Sequence, residues 1–225
     1  GAFIGMHQMA PLGGLDLAAG TSQATTLPLG VGAGDDLEGL ERAPDGRIFG
    51  LASTGHLRAW REVEAARFEL VLGPIAVSDD PAFVCDPFGV NCAANFEGLC
   101  LHPAPPPGDC AGWAASKALG QLVCLRAADD GYRLDPAVRV DVTEPDRLSG
   151  CAYEPSPPHR VIIAGNLFSG STLWEVSGAN VRPLLVAGTG NQEAIAWLPR
   201  GRLQSFGDGQ ELLGDQSPRA LIECR

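Results

Sequence analysis

A four-residue phrase recurs four times along the chain: Asp36-Leu37-Glu38-Gly39, Asn95-Phe96-Glu97-Gly98, Arg147-Leu148-Ser149-Gly150 and Asn191-Gln192-Glu193-Ala194. Each begins with a polar residue, reaches Glu or Ser at its third position, and ends in Gly or Ala. An apolar run follows each phrase, then a turn rich in Pro, Asp or Gly, then a second apolar run ending in small residues. A third run comes next at "HLRAWREV", "GQLVCLRA", "STLWEVSG" and "RALIEC". Three of the segments add a fourth run, at "RFELVLG", "AVRVDV" and "VRPLLVAG". A unit this short cannot bury its apolar faces alone, so repeated units must stack on one another.

The third positions lie 59, 52 and 44 residues apart. Such intervals match four-stranded propeller blades, which run about 40 to 50 residues, with loop insertions. The expectation is a single all-β domain over residues 1–225: a five-bladed β-propeller of four-stranded antiparallel blades. "AFIGMHQM", "GLDLAAG" and "ATTLPLG" match the second, third and fourth strands of a further blade, which leaves two strands unaccounted for where the ends of the ring meet. One stretch, "HLRAWREVEAARFELVL", has helical propensity, but the repeat register predicts two strands joined by a turn near Glu64–Ala66.

Composition narrows the function classes. The 29 glycines and 18 prolines, beside 45% hydrophobic residues, fit short elements joined by many turns. A formal charge of −11 disfavours nucleic acid and anionic membrane surfaces, which select basic footprints. No apolar run approaches the ~18 residues needed to span a bilayer. The opening "GAFIGMHQMA" lacks the basic start and long apolar region of a signal peptide.

None of the seven cysteines forms a CxxC pair, which disfavours zinc-ribbon and thioredoxin chemistry. Cys85 and Cys92 flank the turn-rich "DPFGVN" and are expected to pair; Cys100 and Cys110, flanking "LHPAPPPGD", form a second candidate pair. Cys124 and Cys151 read as buried free thiols on strands. This usage favours an exported protein, periplasmic or secreted.

The order and spacing of Asp36-Leu37-Glu38, Phe96-Glu97-Gly98-Leu99, Leu148-Ser149-Gly150 and Gln192-Glu193-Ala194 resemble the SdiA-regulated family. These are bacterial five-bladed β-propellers, generally periplasmic, and the likeness covers nearly the whole chain. A more distant similarity is to calcium-activated nucleotidases (apyrases) and phytase-like propellers. The family tends to carry charge where each second strand ends. Here those positions read His7-Gln8, Ser53-Thr54, Ser116-Lys117, Asn166 and Asp208, so the charge is lower.

Two candidate sites follow. First strands line a propeller's channel, so Glu38, Glu97, Ser149 and Glu193 are expected to converge on the axis. Three carboxylates that close repel unless protonated or neutralised by a cation, and calcium takes six to eight oxygen ligands. The competing expectation is that the carboxylates cap backbone amides and hold neighbouring blades together. The second site is a ligand mouth formed by His7, Gln8, Thr54, Lys117, Asn166 and Asp208, open to a small-molecule or protein ligand. Lys117 would pair with an anionic group there, and His7 would serve as acid or base.

His56, His102 and His159 stand apart in turns, and no GxSxG elbow, P-loop or dinucleotide fingerprint is present. The paired acids Asp35-Asp36, Asp79-Asp80 and Asp129-Asp130 read as solvated turn residues. Trp60, Trp113, Trp174 and Trp197 fall on strands and read as packing between blades. The leading functional expectation is a non-catalytic binding or scaffold propeller with a candidate calcium site. The alternative is a metal-dependent hydrolase of phosphate anhydrides or esters.

Overall fold

The computed structural model describes the backbone of residues 12–16, 21–25, 27–30, 36–65, 67–142, 148–167, 170–187, 192–198, 202–207 and 219–223, and side chains at 27–30, 36–65, 67–142, 148–165, 173–184, 195 and 197. The described residues are all-β. Three four-stranded antiparallel sheets follow one another, each paired in chain order. The first holds β3 (Leu37–Arg42), β4 (Ile48–Ala52), β5 (His56–Glu64) and β6 (Arg67–Ala76). The second holds β7 (Phe96–Leu101), β8 (Gly112–Ser116), β9 (Gln121–Ala128) and β10 (Gly131–Asp141). The third holds β11 (Leu148–Tyr153), β12 (Val161–Leu167), β13 (Gly170–Ser177) and β14 (Asn180–Ala187). A three-stranded sheet of β15 (Gln192–Leu198), β16 (Arg202–Gly207) and β17 (Arg219–Glu223) closes the series, and β1 (Leu12–Asp16) pairs with β2 (Thr21–Thr25) ahead of it.

First strands lie beside first strands: β3 packs on β7, β7 on β11, and β11 on β15. Successive sheets therefore stack face to face around their inner strands, which is a propeller arrangement. Alternation along the strands supplies both faces. Phe49 and Leu51 of β4 join Phe96, Leu99, Ala114 and Val123 of the following sheet. Ile48 and Ala52 face the other way, with Trp60, Phe68 and Leu27. Cys100, Ala115 and Leu122 meet Leu148, Ile163 and Trp174 across the next interface, and Ala152, Ile162 and Leu173 meet Ile195 and Trp197 beyond it. Burying each large side chain contributes about 1.5–3 kcal/mol. These interfaces are the core.

The segment with helical propensity is two strands, β5 and β6, that meet beside Ala65. Sheet pairing with β4 overrides local propensity there. "AFIGMHQM" lies outside the described residues.

The cysteine reading needs correction. Cys85–Cys92 forms, but Cys100 bridges Cys151, and Cys110 bridges Cys124. Cys100 and Cys151 belong to neighbouring inner strands, so the bridge joins two sheets. Cys110 sits just ahead of β8, whose Trp113 pairs with Cys124 on β9. Neither Cys124 nor Cys151 is a free thiol. Three disulfides fit an oxidising compartment, and among the described residues no helix is long and apolar enough to cross a membrane.

Candidate ligand mouth

The recurring phrase marks one backbone device. The pairing of each inner strand with its neighbour slips at the phrase: between Leu37 and Gly39, Phe96 and Gly98, Leu148 and Gly150, and Gln192 and Ala194. The residue skipped each time is Glu38, Glu97, Ser149 or Glu193. A β-bulge re-aims one side chain and sharpens the local twist, so each inner strand begins with a re-aimed oxygen-bearing residue. The flanking pairs Leu37↔Ala52, Phe96↔Ser116, Leu148↔Gly165 and Gln192↔Gly207 place the second-strand ends beside the bulges. Among the described residues, the bulge positions and the second-strand ends Ala52, Ser116, Gly165 and Gly207 thus lie side by side.

Glu97 is 4% exposed and accepts a hydrogen bond from Lys117 Nζ, 2.9 Å from Oε1. Desolvation pushes its pKa above the ordinary glutamate value; the Lys117 ammonium opposes that shift, and the charge of Asp36 adds to it. Lys117, 30% exposed at its side chain, thus neutralises a buried carboxylate rather than waiting for a ligand. The Lys117 backbone N–H donates to Asn95 O, fixing the turn after β8 against the entry to β7.

Asp36 is buried and accepts a hydrogen bond from Ser53 Oγ. Of the acidic pairs read as solvated, Asp36 is therefore a correction, whereas Asp79, Asp80, Asp129 and Asp130 are exposed. Ser53 Oγ also accepts from Asn91 N–H at 3.2 Å, and Ser53 O accepts from Phe96 N–H at 3.1 Å. One fully buried serine thereby ties the first sheet to the inner strand of the second. Ser116, at the matching position, donates to Ala94 O and accepts from Leu119 N–H. Sequence reading left Asp36, Ser53, Asn95 and Ser116 outside the candidate site. The signal for two of them was the polar residue that opens each phrase.

Thr54 Oγ1 lies 3.1 Å from His56 Nδ1, but the threonine is 1% exposed, which closes it to a substrate. Desolvation, with Arg58 nearby, holds the His56 ring below the ordinary histidine value. Ser149 is fully buried and its Oγ donates to Ala164 O at 3.4 Å. Glu38 is half-buried. Glu193 and Asn166 are placed by backbone alone, and His7, Gln8 and Asp208 lie outside the described residues. Among the described residues no three His, Cys, Asp or Glu side chains form a metal-holding group.

The histidines read as isolated include a contacting pair. The His102 and His159 rings lie 4.8 Å apart, in the turns that follow β7 and β11, on the opposite face from the mouth.

The fold defines a protein of the β-propeller class. A Thermus thermophilus protein described as an oxidoreductase (glucose dehydrogenase) is similar at 20% identity and a TM-score of 0.50, over 85% of this chain and 63% of that one. A Bacteroides uniformis protein described as a 6-phosphogluconolactonase gives 14% and 0.48, over 95% and 64%. Regucalcin from Agrobacterium tumefaciens, a calcium-binding protein, gives 13% and 0.48, over 92% and 77%. The chain spans less than two thirds of the length of the first two. No protein-family model and no curated protein matches the sequence.

Proposed function

We propose that the protein is an exported, non-catalytic binding propeller that takes its ligand at the mouth where the inner strands begin. The observation that supports this reading is the repeated backbone bulge at Glu38, Glu97, Ser149 and Glu193, which puts one oxygen-bearing residue at the head of each of these inner strands. Buried hydroxyls there are committed to structure: Ser53 to Asp36, Ser116 to Ala94, Ser149 to Ala164. Ser116 and Ser149 donate to backbone carbonyls. Ser53 and Thr54, which do contact the Asp36 carboxylate and the His56 ring, are 0% and 1% exposed and so closed to a substrate. The resemblance to the SdiA-regulated family and the three disulfides support the periplasmic or secreted side of the reading.

Calcium is the cation this donor set would hold, through Glu38, Glu97 and Glu193 and backbone oxygens. Lys117 already answers the charge of Glu97, so a bound calcium would displace the ammonium from Oε1. Calorimetric titration with calcium tests the site. Glu97→Gln is expected to weaken binding by about tenfold or more, since calcium affinity follows the number of charged ligands. Equal affinities for wild type and variant would remove Glu97 from the site. A phosphatase and nucleotidase screen with and without calcium is expected to show no turnover, and metal-dependent turnover would replace the binding reading with a hydrolase.

A pH effect follows from Glu97. Its folded pKa is raised, so the folded protein holds this proton more tightly than the unfolded chain does. The associated stability is present below the ordinary glutamate pKa and is lost as pH rises through the raised value. Calcium affinity is expected to rise over that same window as the carboxylate ionises. Lys117→Met removes the group that lowers this pKa, so the window is expected to move to higher pH, readable by carboxyl NMR titration. An unmoved Glu97 titration would mean that the ammonium is not what compensates this carboxylate.

A further inference from the structure

The mouth carries an apolar rim as well as a polar floor. Phe88 is 64% exposed and Val90 56% exposed, and both project from the eight-residue loop closed by Cys85–Cys92. The loop is held at every side. Phe88 N–H donates to Asp86 Oδ1, Gly89 N–H to Asp86 O, Asn91 N–H to Ser53 Oγ, and Cys85 N–H to Thr54 O. Gly89 packs so closely that an added Cβ would lie 2.8 Å from Cys92 Sγ. Leu119, 43% exposed, crowns the turn between β8 and β9. That turn is tied to the same segment, through Ala118 N–H to Ala94 O and Lys117 N–H to Asn95 O. Phe88 and Val90 therefore share one pinned loop, and Leu119 stands on a turn tied to the residues that leave it.

Scattered surface apolar residues need no explanation, but a group held rigidly beside a binding mouth marks an interaction surface. Its charge selects the partner. Asp79, Asp80 and Asp86 are exposed on the connection from β6 to β7, which is pinned to the β4–β5 turn by Val77 N–H to Gly55 O. The nearby cation Lys117 is held by Glu97. Resting on the reading of this face as a binding mouth, we propose that Phe88, Val90 and Leu119 form a docking surface for a basic, apolar peptide segment of a protein partner. Its apolar side chains would cover the rim, and its cationic groups would meet Asp79, Asp80 and Asp86. Rigid display lowers the ordering cost that a flexible loop would carry into binding.

The test is fluorescence anisotropy with three labelled hexapeptides: alternating lysine with leucine and phenylalanine, alternating lysine with serine, and alternating glutamate with leucine and phenylalanine. The basic apolar peptide is expected to bind most tightly. Phe88→Ser with Val90→Ser is expected to weaken it by about tenfold or more, while leaving the lysine–serine peptide unchanged. Asp79→Asn with Asp80→Asn and Asp86→Asn is expected to weaken both basic peptides and to flatten their salt dependence. Phe88→Ala with Val90→Thr, checked by thermal melting, serves if the serine variant folds poorly. Equal binding by wild type and the rim variants would overturn the proposal, as would tighter binding of the acidic peptide or no binding of the basic apolar one at ~1 mM. Calcium calorimetry on the same proteins separates the two readings. Failed peptide binding with intact calcium binding overturns only the docking surface, whereas peptide binding without any calcium binding overturns the axial site and leaves the rim standing.

Discussion

Removing the bridge between neighbouring inner strands, by Cys100→Ala with Cys151→Ala, is expected to lower the unfolding free energy by about 4 kcal/mol. The bridge closes a chain segment with a sequence separation of 51, and the loop-closure entropy it withholds from the unfolded chain is of that order. For a chain of this size the melting temperature should fall by roughly 10 °C. The same operation at Cys85 and Cys92, with a separation of seven, is expected to cost only about 2–3 kcal/mol, because the shorter loop was less free to begin with. Denaturant unfolding of the three proteins under non-reducing conditions gives the comparison. Identical midpoints for wild type and the Cys100/Cys151 variant would mean that the bridge does not form, and would remove the strongest support for an oxidising compartment.

The inter-strand bridge shows where sequence reading reaches its limit. The repeat register placed both Cys100 and Cys151 on inner strands, three and two residues after the recurring Glu97 and Ser149. That information sufficed to make them neighbours once sheets stack. Proximity along the chain instead favoured Cys110, across a proline-rich connection. Lateral stacking brought residues 51 apart closer than residues ten apart, and only an explicit use of the repeat would have shown it. His102 and His159 escaped for the same reason: they occupy equivalent turns of adjacent sheets. The sheets themselves were legible because their strands alternate apolar residues toward both neighbours, as Ile48 and Phe49 do. Lys117 was found by position, but its role was not. Its attachment to Glu97 depends on the pairing of Phe96 with Ser116, which carries the lysine to the carboxylate of the adjoining strand.

Replacing Gly39 with alanine is expected to destabilise the protein by about 3 kcal/mol, the upper end of the usual cost of forcing extra atoms into a packed interior. An alanine Cβ there would lie 2.4 Å from Leu99 N and 2.7 Å from Leu99 Cβ, both on the neighbouring inner strand. Backbone cannot rotate away as a side chain can. β3 is held by the pairing of Gly39 with Leu51, and β7 by the pairing of Gly98 with Ala115, so relief requires moving one whole sheet from the next. Gly98→Ala is expected to cost less, about 2 kcal/mol, since its Cβ would stand 2.9 Å from Gly150 Cα. Gly108→Ala serves as a reference. Nothing lies within 4 Å of its Cβ, and only its φ of +84° opposes alanine, at about 1 kcal/mol. The expected order of destabilisation in chemical unfolding is Gly39, Gly98, Gly108. If Gly39→Ala proved no worse than Gly108→Ala, inner-strand crowding would not be what excludes a side chain there. If the order holds, the pairing of glutamate with glycine has two separate causes. The bulge takes the glutamate out of the strand's regular pairing, and the next residue must lack a side chain because the following inner strand already occupies that space.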